Sequence, residues 1–213
     1  MEPSPGEEIV VSAAKNPKRD SSPVRGGDAV RRALVEATAR VLAEAGPSAV
    51  SVREVARLAG VNHGQIHHYF GGKRGLLKAT MRHLASDHLA HATESSVETS
   101  IPRALQLADD PLYWRAICRC VMEGDLELAG LEVDEGISVP RRALDTLMTR
   151  LEISDTDLDF KAKFAAIAAL QLGWAALEDF VLLISDVDES EREAVRDRVK
   201  VIISNWFGPL PAP

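Results

Sequence analysis

His63, Gly64, Gln65, His67, His68 and Tyr69 crowd into nine residues, NHGQIHHYF, from Asn62 to Phe70. The set offers imidazole nitrogens that donate or accept according to tautomer, an amide that does both, and a phenol. Side chains of this kind can hold a metal, move a proton or read a hydrogen-bonding edge. Metal chemistry would need partners, and the nearest are His83, His88 and His91. Their spacings of five and three do not put all three on one helix face, and no cysteine or carboxylate set completes them. Proton or group transfer would need a Ser/His/Asp arrangement, paired carboxylates in a catalytic setting or a phosphate-cradling glycine loop, and none is found. No enzyme activity, cofactor or metal site is therefore expected. Cys118 and Cys120 lie two apart in an expected helix and point to different faces, so no disulfide is expected between them.

Edge reading remains, and the pattern suits it. Ile66 and Phe70 are four apart and face a core, which leaves the polar residues around the other surface. A helix of about eight residues is about 12 Å long and can enter a B-DNA major groove about 12 Å wide. Glutamine pairs bidentately with adenine, and Gly64 lets backbone approach closely near the helix start. Charge agrees. The 213 residues carry a formal −7, yet residues 28–91 hold nine Lys/Arg against five Asp/Glu, whereas residues 92–213 hold 12 against 23. A basic segment inside an acidic chain points to a polyanion partner for that part alone.

The elements that must position these groups can be read from their ends. Ser51 followed by Glu54 is a capping-box pattern, with Val50 and Val55 as a hydrophobic staple. That helix runs to Ala59 and stops at Gly60, a residue suited to a left-handed C-terminal position. Asn62 caps a second helix, with Gln65 at its third position and Val61 and Ile66 as a second staple. Two capped short helices joined by Gly60-Val61-Asn62 form a helix-turn-helix.

Around this motif the pattern is helical throughout, with no strand alternation and no internal repeat, so the fold class is all-α. Residues 1–27 are rich in Pro, Ser, Gly and charge and read as a disordered arm. Its Lys15, Lys18, Arg19 and Arg25 either follow a DNA backbone or are simply solvated. Helices are expected at about 28–45, ending at Gly46-Pro47, and at 72–91, 101–108, 111–123, 140–151, 157–185 and 189–206. The middle of 157–185 is apolar all round, which predicts burial on most sides. Its most apolar run, Phe164 to Leu177, is shorter than the about 20 residues that span a bilayer. No uninterrupted apolar core opens the chain as in a secretory signal. The expectation is a cytoplasmic protein without a membrane partner.

Residues 27–84 resemble the N-terminal domain of TetR-family regulators. The resemblance is carried by ALVEATARVLAEAG and then by SVREVARLAGVNHGQIHHYFGGKRGLL, with the family's order of capped helix, short helix ending in YF, and a lysine opening the next helix. It implies a three-helix DNA-binding domain at 28–91, with the helix-turn-helix at 51–70 and a connecting helix at 72–91. A helical ligand-binding and dimerisation domain at 92–213 would follow. Carried onto this chain, the resemblance implies that Ser51, His68, Tyr69 and Lys73 sit on phosphates. Gly64, Gln65 and His67 would lie nearest base edges, with His63 at the groove rim. His67 stands where the family often has tyrosine, which puts that contact in question.

A single short reading helix is insufficient for specific affinity, so a homodimer on near-palindromic double-stranded DNA is expected, its half-sites about one helical turn apart. By the resemblance, the last two helices pair with their copies. The small residues Ala165 and Ala169 in FAAIAAL allow close approach, and Val195, Val199, Ile202 and Trp206 supply an apolar stripe. Packing of these faces within one subunit is the competing reading. The candidate effector pocket draws on Trp114, Cys118 and Met122, four apart, and on the stripe Gln171, Trp174 and Glu178. Ordinary core packing competes for Trp114 and Met122. The implied function is a ligand-responsive repressor that a small molecule releases from DNA. The alternatives are an architectural DNA binder without a ligand and a helical enzyme.

Overall fold

The computed structural model describes residues 26–95 and 104–206. The expected arm up to Arg25, the beginning of the helix expected at 101–108 and the chain beyond Trp206 lie outside the described residues. Within them the chain forms α1 (Gly27–Ala49), α2 (Val52–Leu58), α3 (Gly64–Phe70), α4 (Lys73–Ser95), α5 (Pro111–Met122), α6 (Leu126–Ala129), α7 (Leu131–Asp134), α8 (Val139–Arg150), α9 (Leu158–Ile184) and α10 (Arg192–Ser204). The described residues contain no strand, as the all-α reading requires.

The ends of these helices have local causes. Helical geometry in α1 breaks at Gly46 (φ 84°, ψ 171°), where Gly46-Pro47 is expected to stop it, and one further turn follows. Asp110 caps α5 by accepting from the Tyr113 N–H at 3.3 Å, and Asp157 caps α9 by accepting from the Phe160 N–H at 2.8 Å. Two short helices, α6 and α7, occupy a stretch in which no element is expected. Asp125 caps the first by accepting from the Leu128 N–H, and Gly130 separates it from the second. Where a helix is expected at 101–108, residues Gln106–Asp109 make a single 3₁₀ turn. Leu105 just before it has a left-handed backbone (φ 63°) that no helix continues through.

The packing is unequal. Leu34, Leu42, Val55, Ile66 and Leu76 are completely buried in one cluster joining α1 to α4. Burying each such side chain stabilises the fold by about 1.5–3 kcal/mol. The cluster does not end at residue 91: Tyr113, Ala116, Cys120, Leu128 and Leu131 belong to it, so α5, α6 and α7 share its core. A smaller cluster holds Leu105, Ile167, Trp174, Leu182 and Ile203.

The expectation that α9 is buried on most sides is corrected. Only Phe160, Ile167, Trp174 and Leu182 of this helix are buried, and Leu158, Leu172, Leu177, Phe180, Leu183 and Ile184 are exposed. An apolar circumference signals that burial is needed; it does not say that one chain supplies it. The helix extends past the apolar run to 27 residues with a mean hydropathy of 1.7 in its most apolar window, long and apolar enough to cross a membrane by length and composition alone. The run Phe164–Leu177 is itself shorter than a span, and Phe180 to Ile184 continue the apolar character beyond Glu178 and Asp179.

Candidate nucleic-acid interface

The turn between α2 and α3 is built by backbone hydrogen bonds that the glycine permits. Gly60 adopts φ 68°. Its N–H donates to Arg57 at 3.2 Å, and the Val61 N–H donates to Ala56 at 2.9 Å, the paired bonds of a Schellman end. The Asn62 side chain then accepts from the Gly64 N–H at 2.8 Å and caps the next helix. The first cap departs from expectation. Ser51 has the extended backbone of an N-cap, but its side chain makes no capping bond. Glu54 turns instead to Arg57, whose Nε donates at 2.9 Å. The arginine one turn on outcompetes a neutral N–H for that carboxylate, because both partners are charged.

Helix α3 presents the polar surface anticipated. Ile66 is buried and Phe70 half-buried, whereas His63, Gly64, His67 and His68 are exposed; Gln65 and Tyr69 are half-buried. Ser51 is also exposed. Tyr69 leans back on α1. The Arg31 guanidinium lies 4.9 Å from its ring centroid, and a Cβ on Gly27 would stand 3.3 Å from its hydroxyl. This cation–π contact makes Arg31 an exposed cation beside the reading helix, a neighbour that spacing along the chain could not reveal.

The joint to α4 demands glycine. Gly71 and Gly72 have φ 70° and 115°, and a Cβ on Gly75 would fall 1.7 Å from the Phe70 carbonyl oxygen. Since that obstacle is backbone, α4 can cross the end of α3 this closely only with no side chain at position 75. Lys73, half-buried at the start of α4, donates from Nζ to the Ser48 carbonyl at 3.2 Å. Glu123 accepts from the Ser48 N–H at 2.9 Å. Further along α4, Arg74 pairs with Asp125 and Glu127, Lys78 with Glu127 at 2.7 Å, and Arg82 with Glu135. Hydrogen bonding to Arg74 holds the Asp125 carboxyl below its usual range, and Lys78 and Arg74 do the same for Glu127. These cations, four residues apart on one helix, meet an acidic stretch that includes α6. The i, i+4 rhythm is visible in sequence, but the partners are not.

The acidic half holds a buried polar group that sequence reasoning missed. Glu132 accepts from the Tyr113 hydroxyl at 2.6 Å and from the Ser138 hydroxyl at 2.7 Å, with all three residues buried. Alongside, His88 stacks on Tyr113 at 4.1 Å and lies 3.1 Å from Asp110. Burial and the neighbouring Glu132 push the Tyr113 hydroxyl well above the usual phenol range. The thiol of Cys120 is pushed up to about 12, chiefly by burial, which makes it a poor nucleophile.

The effector candidates are not gathered in one place. Trp114 is half-buried against the main cluster with the Arg115 guanidinium 5.2 Å from its ring centroid, Cys118 is half-buried, and Met122 is 79% exposed. Trp174 is buried in the smaller cluster. Gln171 is half-buried beside it in sequence, and Glu178 accepts from Arg196 Nε at 2.7 Å. The interface candidates divide as well. Ala165, Ala169, Ile202 and Trp206 are exposed, and Val195 and Val199 pack onto the smaller cluster of their own chain.

Residues 34–80 match the family described as bacterial regulatory proteins, tetR family. An HTH-type transcriptional repressor of Mycobacterium tuberculosis is 26% identical over 184 residues, covering 86% of this chain and 92% of the relative. Among solved structures, a tetR-family transcriptional regulator from Streptomyces coelicolor superposes with a TM-score of 0.59 at 17% identity, covering 86% of this chain and 82% of its own. The multidrug binding protein EbrR, complexed with imidazole, gives 0.51 at 17% identity, with 86% and 96% covered. The M. tuberculosis and S. coelicolor proteins are named transcriptional regulators, and the helix-turn-helix is where the family match lies. Residues 34–80, which hold the helix-turn-helix, are thus similar to the DNA-binding segment of the tetR family of bacterial regulatory proteins.

Proposed function

We propose that the chain is a homodimeric repressor that reads a near-palindromic duplex with α3 and leaves it when a small molecule binds the second half. The observation that carries the reading is the doubly capped turn. It fixes α3 with Ile66 inward, which supports assigning Gly64, Gln65 and His67 to the groove, where backbone approach and base-edge pairing are needed. Ser51, His68, Tyr69 and Lys73 are assigned to phosphate, with His63 at the rim. In this reading residues 28–91 are the DNA-binding domain and 92–213 the effector and dimerisation domain, working in the cytoplasm. The exposed apolar residues of α9 and α10 support pairing with a second copy. Ala165 and Ala169 would give close approach, and Ile202 and Trp206 contact area. The name repressor follows the M. tuberculosis relative.

Release would be a population shift: the effector binds better to a state whose two reading helices are wrongly spaced, and DNA opposes the effector by the same coupling energy. Helix α4 is the connecting lever, since its ion pairs grip the acidic half. Trp114, Cys118, Met122, Gln171, Trp174 and Glu178 remain the candidates for effector contact. Selection of bound sequences from random duplex DNA tests the reading. A palindrome with half-site centres about one turn apart is expected; enrichment of no sequence at all would overturn it. Replacing Lys73 by alanine should weaken binding to every sequence alike and flatten the salt slope by about 1.

A further inference from the structure

Lys73 is assigned above to phosphate, yet its ammonium is held by the protein itself. The acceptor is the Ser48 carbonyl, 3.2 Å away, in the turn that ends α1. That turn is gripped from the other side. Glu123, the C-cap residue of α5, accepts the Ser48 N–H at 2.9 Å. Its carboxylate lies where a Cβ on Gly46 would be, 1.9 Å from Oε1, so the glycine leaves the space that the glutamate fills. The Ser48 hydrogen bonds hold the Glu123 carboxyl below its usual range, and Arg119 and Lys73 add to the effect through their charge. One residue, Ser48, thus links a cation beside the reading helix to a carboxylate of the acidic half through its N–H and its carbonyl.

We propose that Glu123 is a positioning residue for the DNA contact, setting how much of the Lys73 charge reaches the phosphate backbone. The proposal rests on the reading of Lys73 as a phosphate contact. Two effects act together. The Glu123 carboxylate keeps the Gly46–Ser48 turn where its carbonyl can hold the ammonium, and its negative charge offsets part of the field a phosphate would feel. DNA must draw Lys73 away from Ser48 against both. A shift of α5 relative to α1, of any origin, changes the grip and with it the affinity for DNA. The acidic half then acts on the reader at a specific atom, in addition to acting through the tilt of α4.

The test is a double-mutant cycle on duplex binding, read by fluorescence anisotropy with a mixed-sequence duplex at several salt concentrations. Glu123→Gln keeps an acceptor for Ser48 and removes the charge. It should tighten binding by about 1.5- to 5-fold at low salt, the range of an exposed charge pair, and the gain should fade as salt rises. In the Lys73→Ala background the same substitution should give a clearly smaller gain, because the cation held through Ser48 is gone and only the direct repulsion between Glu123 and phosphate is relieved. Glu123→Gln having no effect at low salt, or an equal effect in both backgrounds, overturns the proposal. A wild-type protein that binds no duplex at any salt removes the DNA-binding reading and this inference with it, whereas Lys73→Ala binding as tightly as wild type removes the phosphate assignment. Thermal melting of all four proteins separates positioning from folding: unchanged melting with altered binding supports the proposal, and binding changes that merely track melting overturn it.

Discussion

The reading half and the last two helices solve the same problem in different ways. Around α3, apolar residues find their partners within the chain: Leu34, Leu42, Val55, Ile66 and Leu76 have no exposed surface. Along α9 and α10 the apolar content is higher, yet Phe180, Leu183, Ile184, Val201 and Ile202 stand in the open. Large apolar residues exposed in this number on two neighbouring helices suit the proposed pairing with a second copy. The lesson is that apolar content measures the demand for burial, and only packing shows who meets it. A closed core holds the recognition surface rigid. An open face is what the proposed pairing with a second copy would cover, and there a change in spacing between two readers would be made.

The largest effect expected from a single substitution is in the closed half. Leu34→Ala should cost about 2–5 kcal/mol, seen as a lower denaturation midpoint with an unchanged slope. A loss below about 1 kcal/mol would mean that this core is as loose as the other. Next is Gly75→Ala, where the new methyl meets the Phe70 carbonyl. Overpacking of this kind costs about 1–3 kcal/mol, and DNA binding should fall further than stability does because α3 is pushed out of line. Leu183→Glu should act oppositely, leaving helicity intact while weakening self-association at least about tenfold, or about 1.4 kcal/mol, in sedimentation. An unchanged mass at every concentration would break the comparison on its open side.

The smallest effect sharpens the seam between the halves, where His88 on α4 meets Asp110 before α5. Burial of Asp110 opposes its ionisation, but the His88 hydrogen bond and the Tyr113 N–H outweigh it and hold the carboxyl below its usual value. Near and below pH 4 the folded chain therefore binds fewer protons at this group than the unfolded chain does. The stabilisation is complete above the unfolded value and is lost as pH falls through the folded one. Asp110→Asn keeps the helix cap and loses the charge, so it should cost about 1 kcal/mol at pH 7. The gap to wild type should close on acidification below about pH 4. A constant gap from pH 7 to pH 3 would show that charge at this seam contributes nothing.

The reading half was the more legible because its signals are local. Gly60 and Asn62 act on backbone groups within a few residues, and both perform the roles their types suggest. Ser51 and Glu54 show where local logic stops, since Arg57 was an equally local competitor for the same carboxylate. The apolar run of α9 named a helix but no face, because with so few polar positions every orientation looks alike. The buried Glu132 was invisible for another reason: its hydroxyl partners lie 19 residues before it on α5 and six after it at the N-cap of α8.

By itself the sequence determined the helical class, the capped turn and the polar face of α3. Those follow from φ preferences, capping chemistry and a 3.6-residue period, all of which act over one or two turns of chain. Tertiary structure alone decided that Gly75 must lack a side chain, that Arg31 lies against Tyr69 and that Glu123 reaches Ser48. It also decided which apolar residues of α9 remain uncovered. Each of these depends on the distance between segments far apart in the chain, and such a distance is set by how whole helices pack, a property that no short window of sequence contains.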